Sequence, residues 1–318
     1  MLTAQETSRK IRRLKRYQSL GLGSKIRYSL RLVEQALAVA KKPIIAWSGG
    51  KDSTAMLHLI RTHFSKDIDV IFNNTRVEFP ETLKFVRRMQ ESWGLNLHTA
   101  TPDPKHSFWW CVENYGWPLF GKAGAGRIDT LRNGGEVSLN QSLRRVAETD
   151  VPISARCCRY LKERPMSKLQ KRLEVDLVFL GIMSSESRRR KFNWADHGDF
   201  YQIKSGEWRC LPLSIWTTED VWKYHERYDI PHCPLYDMGH RQNGCWPCTM
   251  DIYFKDNHLK ALRASHPKLW KFLVVDKGLG EELVKIKLAL NEGQYNLFSQ
   301  AWSVEKLIEQ RPCFFDAL

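Results

Sequence analysis

The chemistry-bearing residues of this 318-residue sequence fall into two groups. The first is Ser48-Gly49-Gly50-Lys51-Asp52-Ser53-Thr54. Two adjacent glycines let a backbone approach a phosphate closely. Ser48, Ser53 and Thr54 add hydroxyl donors, and Lys51 adds a cation. The apolar run PIIAWS precedes the loop and the amphipathic AMLHLIRTHF follows it, so the order is strand, glycine turn, helix. The helix start then offers unpaired N–H groups and a positive dipole end to an anion. The string is not the GxxxxGK[ST] loop of ordinary NTPases. The second group is cysteines: the adjacent pair Cys157-Cys158 and the CxxC of Cys245-Trp246-Pro247-Cys248. Thiolates at these spacings can hold one soft metal centre, iron–sulfur or structural zinc. Cys111 and Cys210 have apolar or aromatic neighbours and read as buried, inert thiols.

The elements that must position these groups are legible as apolar runs. Strands are predicted at 43–48, 68–74, 95–101 and 176–182, with a helix over Glu81–Trp93. Such alternation predicts an α/β fold, a doubly wound parallel sheet, in which ligands lie at the carboxyl ends of the strands. The Ser48–Thr54 loop, the Asn73–Thr75 turn and Gly181 all fall at such ends. The predicted organisation is a basic helical N-terminal arm (1–42), the nucleotide-binding domain with its cysteines (43–250) and a helical C-terminal region (251–318). Residues 105–150, rich in tryptophan and then glycine, are expected to form a lid or insertion.

Fifty Lys and Arg against 35 Asp and Glu give a net charge of +15. Residues 1–42 carry eleven of the cations and only two Glu, a local +9. Such a balance favours an anionic partner, nucleic acid among them, although a charged helix face can also be merely solvated. Arg188, Arg189, Arg190 and Lys191 form a second basic run. With 42% hydrophobic residues the chain is too apolar for disorder. It has no run long enough to span a bilayer, and its first residues lack an apolar signal core. A cytoplasmic location with reduced thiols is expected.

The motifs carry a resemblance. SGGKDST is similar to the pyrophosphate loop (PP-loop) of the ATP-pyrophosphatase superfamily. Asn74-Thr75-x-x-x-Phe79-Pro80-Glu81-Thr82, Gly181-Ile182-x-x-x-Glu186-Ser187-x-x-Arg190 and a closing block of Pro212, Trp216, Asp220-Val221-Trp222, Pro231 and Pro234-Leu235-Tyr236 resemble, in order, blocks of the adenylyl-sulfate and phosphoadenylyl-sulfate reductase family. The resemblance implies an adenine nucleotide alpha-hydrolase-like, Rossmann-like fold. It gives Ser48, Gly49, Gly50, Lys51, Asp52, Ser53 and Thr54 the phosphates, and Asn74, Thr75, Gly181 and Ile182 the adenosine side. Lys51, Asp52, Ser53, Glu186 and Arg190 become the catalytic candidates. Glu186 would pair with the arginines or help hold Mg²⁺. The CC pair with a CxxC resembles the ligand set of a [4Fe–4S] cluster, with Cys157, Cys158, Cys233, Cys245 and Cys248 as candidates. Arg156, Lys162 and Arg164 would balance its charge, and His240 and Arg241 lie near the CxxC. Where the family has an acidic residue and a glycine in its second block, this chain has Asn74 and Arg76.

The functional expectation is an ATP-dependent sulfur-transfer enzyme that adenylates a nucleic acid, similar to DNA phosphorothioation proteins. A cysteine desulfurase would be its sulfur donor, and a homodimer is one possible assembly. The alternative is a sulfonucleotide reductase, binding an adenylylated sulfonucleotide and releasing sulfite with thioredoxin as reductant. The late Cys313 in RPCFFDAL would be its nucleophile, but the family's Glu-Cys-Gly-x-His tail is lacking. A third reading is a nucleic-acid-binding protein with a vestigial nucleotide fold.

Overall fold

A computed structural model of the chain describes residues 3–252, 254 and 257–290. Cys313 lies outside the described residues. The chain divides into two compact units, each discontinuous in sequence. The first comprises residues 1–74, 80–100 and 166–236; the second comprises 75–79, 101–165 and 237–318.

The first unit is built on a six-stranded sheet. Its strands are β1 (Pro43–Ala46), β2 (Asp69–Asn73), β3 (Leu97–Ala100), β4 (Leu177–Leu180), β5 (Phe200–Gln202) and β6 (Trp208–Cys210). The order is β3-β2-β1-β4-β6-β5, parallel except for the antiparallel β5–β6 pair. The doubly wound reading is thus borne out for the four expected strands, which form the centre and one edge of the sheet. The β5–β6 hairpin is an addition: three residues per strand are too few to show a period-2 pattern. Chain order reverses between β1 and β4, and a sheet of this kind opens its ligand crevice at that switch point.

Packing fixes the crevice walls. On one face of the sheet, Ile44, Ile71, Ala100 and Val178 join Leu169 in a buried cluster that Met166, Leu173 and Val175 flank. The helix that follows β1, Lys51–His63, buries Ala55, Met56, Leu57, Leu59 and Ile60. It packs against helices Leu22–Leu37 and Thr218–Arg227. Those two helices also pack on each other, and between them the buried Lys25 ammonium meets Asp220 at 2.6 Å. The basic N-terminal helix, Ala4–Gln18, starts with a Thr3/Glu6 capping box, which satisfies its first N–H groups. It packs against helix Arg188–His197, to which Lys10 is tied through the Ala195 carbonyl at 2.8 Å.

In the second unit, helices Phe108–Tyr115, Gly121–Arg132 and Gln141–Ala147 occupy the stretch expected to be an insertion. The short helix Arg156–Cys158 continues as a π-helical turn over Arg159–Glu163. Parallel bridges pair Trp117 with Ile153 and Leu119 with Thr249. Helices His258–Ser265, Pro267–Lys271 and Leu279–Leu290 complete the unit. Among the described residues no helix is long and apolar enough to cross a membrane.

Candidate functional site

In the first unit the loop after β1 has the geometry its residues suggested. Gly49 takes a positive φ of 72°, which favours glycine. Gly50 then caps helix Lys51–His63 and, having no side chain, offers no capping oxygen of its own to the first helical amides. Hydroxyls lock the turn from inside. Ser53 and Thr54 donate to the Gly50 carbonyl at 3.0 and 2.9 Å. The Ser48 amide reaches Ser53 Oγ at 3.2 Å, and the Trp47 indole N–H donates to Thr54 Oγ1 at 2.9 Å. The Gly50 amide donates to Ser48 Oγ at 3.3 Å, and the Lys51 amide donates to the Tyr236 hydroxyl at 2.9 Å. The buried Lys51 ammonium lies 3.0 Å from the Asp52 carboxylate. On the inner side His225 Nε2 meets the Lys51 carbonyl at 2.8 Å.

Gly181, directly after β4, explains why the third block opens with glycine. A Cβ placed there would stand 2.9 Å from Ser53 Cα, 3.0 Å from Ser53 N and 3.2 Å from the Asp52 carbonyl carbon. The end of β4 therefore lies directly on the backbone of the loop. Next come Ile182, whose amide donates to the Leu180 carbonyl, and Glu186, whose carboxylate accepts from the Met183 amide at 3.1 Å. Glu186 also pairs with Arg190. Burial lowers the Arg190 pKa from its usual value, while the Asp52 carboxylate acts in the opposite sense. Arg190 is thereby within electrostatic reach of the loop.

The expected site residues thus divide between the units. Ser48, Gly49, Gly50, Lys51, Asp52, Ser53, Thr54, Asn74, Gly181, Ile182, Glu186 and Arg190 belong to the first. Asn74 holds the end of β2, its amide donating to the Ala100 carbonyl. Cys233 is buried there too, 3.9 Å from Thr82 Oγ1. The other four cysteine candidates belong to the second unit, as does Thr75. Thr75 Oγ1 lies 3.3 Å from Cys245 Sγ and donates to Glu78 at 2.7 Å. Sequence reasoning missed this link between Thr75 and the CxxC, as well as the contacts of Tyr236 and His225 with Lys51. All three are long-range, with no local signal.

The CxxC turn is held from several sides. Glu78 bridges to Cys245, the Trp246 amide donates to the Val77 carbonyl at 2.9 Å, and the Cys248 amide to the Cys245 carbonyl at 3.1 Å. The buried His258 ring donates from Nε2 to the Trp246 carbonyl at 2.8 Å. Electrostatics differ sharply across the four thiols. A hydrogen bond from Cys157 brings Cys158 down to about 6, with Lys162 and Lys122 assisting. The same bond, with Cys157 as donor, raises Cys157. Burial raises Cys245, and takes Cys248 up to about 12. Lys162 is the common neighbour: Cys245, then Glu78, Cys158 and Cys248 raise its pKa. Among the described residues no three or more His, Cys, Asp or Glu side chains are grouped so as to hold a metal ion as they stand. What suits a thiolate-held centre is the donor chemistry: Cys158, Cys245 and Cys248 lie within electrostatic reach of the Lys162 ammonium, and Cys157 within reach of those three thiols. Cys111 and Cys210 are buried with raised pKa values, as expected of inert thiols.

Comparison with known proteins adds the family dimension. The family model described as phosphoadenosine phosphosulfate reductase domain matches residues 42–251. An uncharacterized protein of Methanocaldococcus jannaschii is 28% identical over 249 residues, covering 77% of this chain and 43% of that protein. A phosphoadenosine 5'-phosphosulfate reductase of Xylella fastidiosa is 27% identical over 200 residues, covering 62% of this chain and 68% of the relative. The chain therefore spans less than half of the archaeal relative and about two thirds of the bacterial one. Among solved structures, phosphoadenylyl-sulfate reductase from Candida auris aligns with a TM-score of 0.48 and 19% identity, over 78% of this chain and 98% of that one.

Proposed function

Because the chain belongs to the phosphoadenosine phosphosulfate reductase domain family, we propose that it is a nucleotide-using enzyme of sulfur metabolism that adenylates a nucleic acid for sulfur transfer. The observation that carries the nucleotide half is the contact of Gly181 with the Asp52–Ser53 backbone, which brings together two motifs 128 positions apart. ATP with Mg²⁺ is the proposed ligand of that turn. An acceptor oxygen attacks the α-phosphorus and pyrophosphate leaves. The loop amides, the helix dipole and Lys51 stabilise the charge that develops on the leaving group. Arg190, held by Glu186, adds a further cation. A cysteine persulfide loaded by a cysteine desulfurase then attacks the adenylated position and displaces AMP; a second thiol cleaves the S–S bond, leaving sulfur in place of the activated oxygen and a disulfide that an external dithiol reduces.

Cys157, Cys158, Cys245 and Cys248 would hold a [4Fe–4S] cluster, with Cys233 kept as a fifth candidate. When bound, such a group supplies a soft, redox-active, sulfur-binding centre. The residues of the chain contribute the rest: Lys162 balances thiolate charge, and Thr75 and His258 orient the CxxC turn.

The acceptor half rests on the charge of +15. Pyrophosphate release from ATP that requires DNA or tRNA, with no sulfite from sulfonucleotide, is the expected outcome. The family match favours one second reading, a sulfonucleotide reductase. Thioredoxin-dependent sulfite formation, lost in Cys313→Ser, would replace the first reading with it.

A further inference from the structure

The basic N-terminal helix is not a separate arm: it lies along helix Arg188–His197. That helix starts two residues after Glu186, on the loop that continues from Gly181 at the switch point. The two helices together carry ten Lys and Arg against two carboxylates, Glu6 and Asp196. Lys10 donates to a backbone carbonyl, Arg13 to the Tyr17 hydroxyl, and Arg190 pairs with Glu186. Among the described residues, no carboxylate lies within ion-pair distance of Arg9, Arg12, Lys15, Arg16, Arg188, Arg189 or Lys191. Leaving seven such cations on two adjoining helices is costly through mutual repulsion unless something anionic covers them.

The two helices also form a groove of about 580 Å³, with Ile11 and Phe192 as apolar lining, Arg12 and Lys15 as its cations and Asp196 as its one carboxylate. Phe192 is 37% exposed. Arg188 lies over its ring, 5.6 Å from the centroid. Cationic walls over an aromatic and aliphatic floor suit a ribose-phosphate chain, whose phosphates take the cations while sugars or bases rest on the floor. An anionic membrane surface would instead call for a broad apolar stripe, and the face offers only this one exposed phenylalanine.

We propose that helices Ala4–Gln18 and Arg188–His197 form a binding surface for a nucleic-acid backbone, leading from the groove towards the nucleotide loop. This rests on the reading above in that it supplies the acceptor's binding site for the same reaction. Both helices lie in the first unit, so the surface and the loop share one scaffold.

The test is fluorescence anisotropy of the full-length protein with fluorescein-labelled DNA and RNA oligonucleotides, single-stranded and duplex, as a function of salt. Removing one cation that pairs with a phosphate flattens the slope of log K against log salt by about 0.7–0.9. The combined variant R12E/K15E/R188A/R189A should lower the slope by about 3 and weaken binding at least 100-fold at low salt, while the helix content seen by circular dichroism is retained. R12E/K15E alone should weaken oligonucleotide binding yet leave the ATP Kd of the loop within twofold. Unchanged slopes in these variants, or wild-type binding to phosphatidylserine vesicles but not to oligonucleotides, would overturn the proposal. Salt-sensitive oligonucleotide binding that the variants lose, with no pyrophosphate release by the wild type, would keep the surface and remove the adenylation reading instead.

Discussion

Gly181 is the position where one methyl group tests the whole site. In Gly181→Ala the new Cβ would stand 2.9 Å from Ser53 Cα and 3.0 Å from Ser53 N. Both neighbours are backbone atoms of a buried helix start, so no flexible side chain can swing aside. To reach the 3.4 Å where ordinary contact begins, β4 and the helix must separate by about 0.5 Å. The φ of Gly181 is not in the left-handed region, so alanine meets steric crowding here and not backbone strain. Overpacking of this kind costs about 1–3 kcal/mol, which in a chain of this size lowers Tm by roughly 2–10 °C. The larger effect falls on the phosphate donors. A shift of half an ångström on amides that need a donor–acceptor distance near 2.9 Å should weaken ATP or pyrophosphate binding by an order of magnitude or more. Isothermal titration with ATP and a thermal melt measure the two effects. Gly126→Ala is the control, since a Cβ at that helical glycine meets nothing within 4 Å and the change should be neutral or slightly stabilising. If Gly181→Ala binds ATP as tightly as the parent and melts within a degree of it, the claim that β4 rests on the loop is wrong.

Three further outcomes follow from the same structure. Lys25→Met leaves Asp220 buried beside an apolar side chain, and urea unfolding should show a loss of about 3–5 kcal/mol, the cost of stranding one partner of a buried pair. Burial lowers the His58 pKa below its usual value of 6.5. Below pH 6.5 the unfolded chain therefore binds a proton that the native state does not. Stability should fall as pH drops through that value, by up to about 1.4 kcal/mol per pH unit, and His58→Gln should flatten the slope in denaturant titrations at pH 5–8. Cys245→Ser and Cys248→Ser should each abolish iron and acid-labile sulfide in anaerobically purified protein, whereas stoichiometric zinc without iron in the parent would refute the iron–sulfur assignment.

What the sequence disclosed depended on how local each signal was. β1, β2 and β4 announce themselves as apolar runs because a central parallel strand is covered on both faces, whereas β3, at the sheet edge, is legible mainly from its place after the Glu81–Trp93 helix. The glycine loop is equally plain, since its phosphate geometry is encoded in seven consecutive residues. Gly181 could be placed near the site by order alone, but its reason, a Cβ-sized space against Ser53, appears only when β4 is laid beside β1. Helix Arg188–His197 is hard to read because its buried residues, Trp194 and Ala195, are too few to establish a 3.6-residue period amid four cations. The cysteines were legible as candidates, but their inequality was not. One is pushed towards thiolate chiefly by the hydrogen bond from its neighbour Cys157 and another away from it by burial, while Lys162 on the Arg159–Glu163 turn favours the thiolate of both.

The loop's own hydrogen bonds also have a bearing on selectivity. With Ser48 Oγ on the Gly50 amide and the Tyr236 hydroxyl on the Lys51 amide, an arriving molecule does not find bare donors; it must evict an oxygen already there. Swapping one neutral acceptor for another returns almost nothing, whereas a charged phosphate oxygen forms a bond roughly twice as strong as the one it replaces. The resting loop is thus a competitor matched against uncharged ligands. Free adenosine, with no phosphate to offer, should be turned away even where its base would fit, and removing the competitor in Tyr236→Phe should narrow the gap between nucleoside and nucleotide.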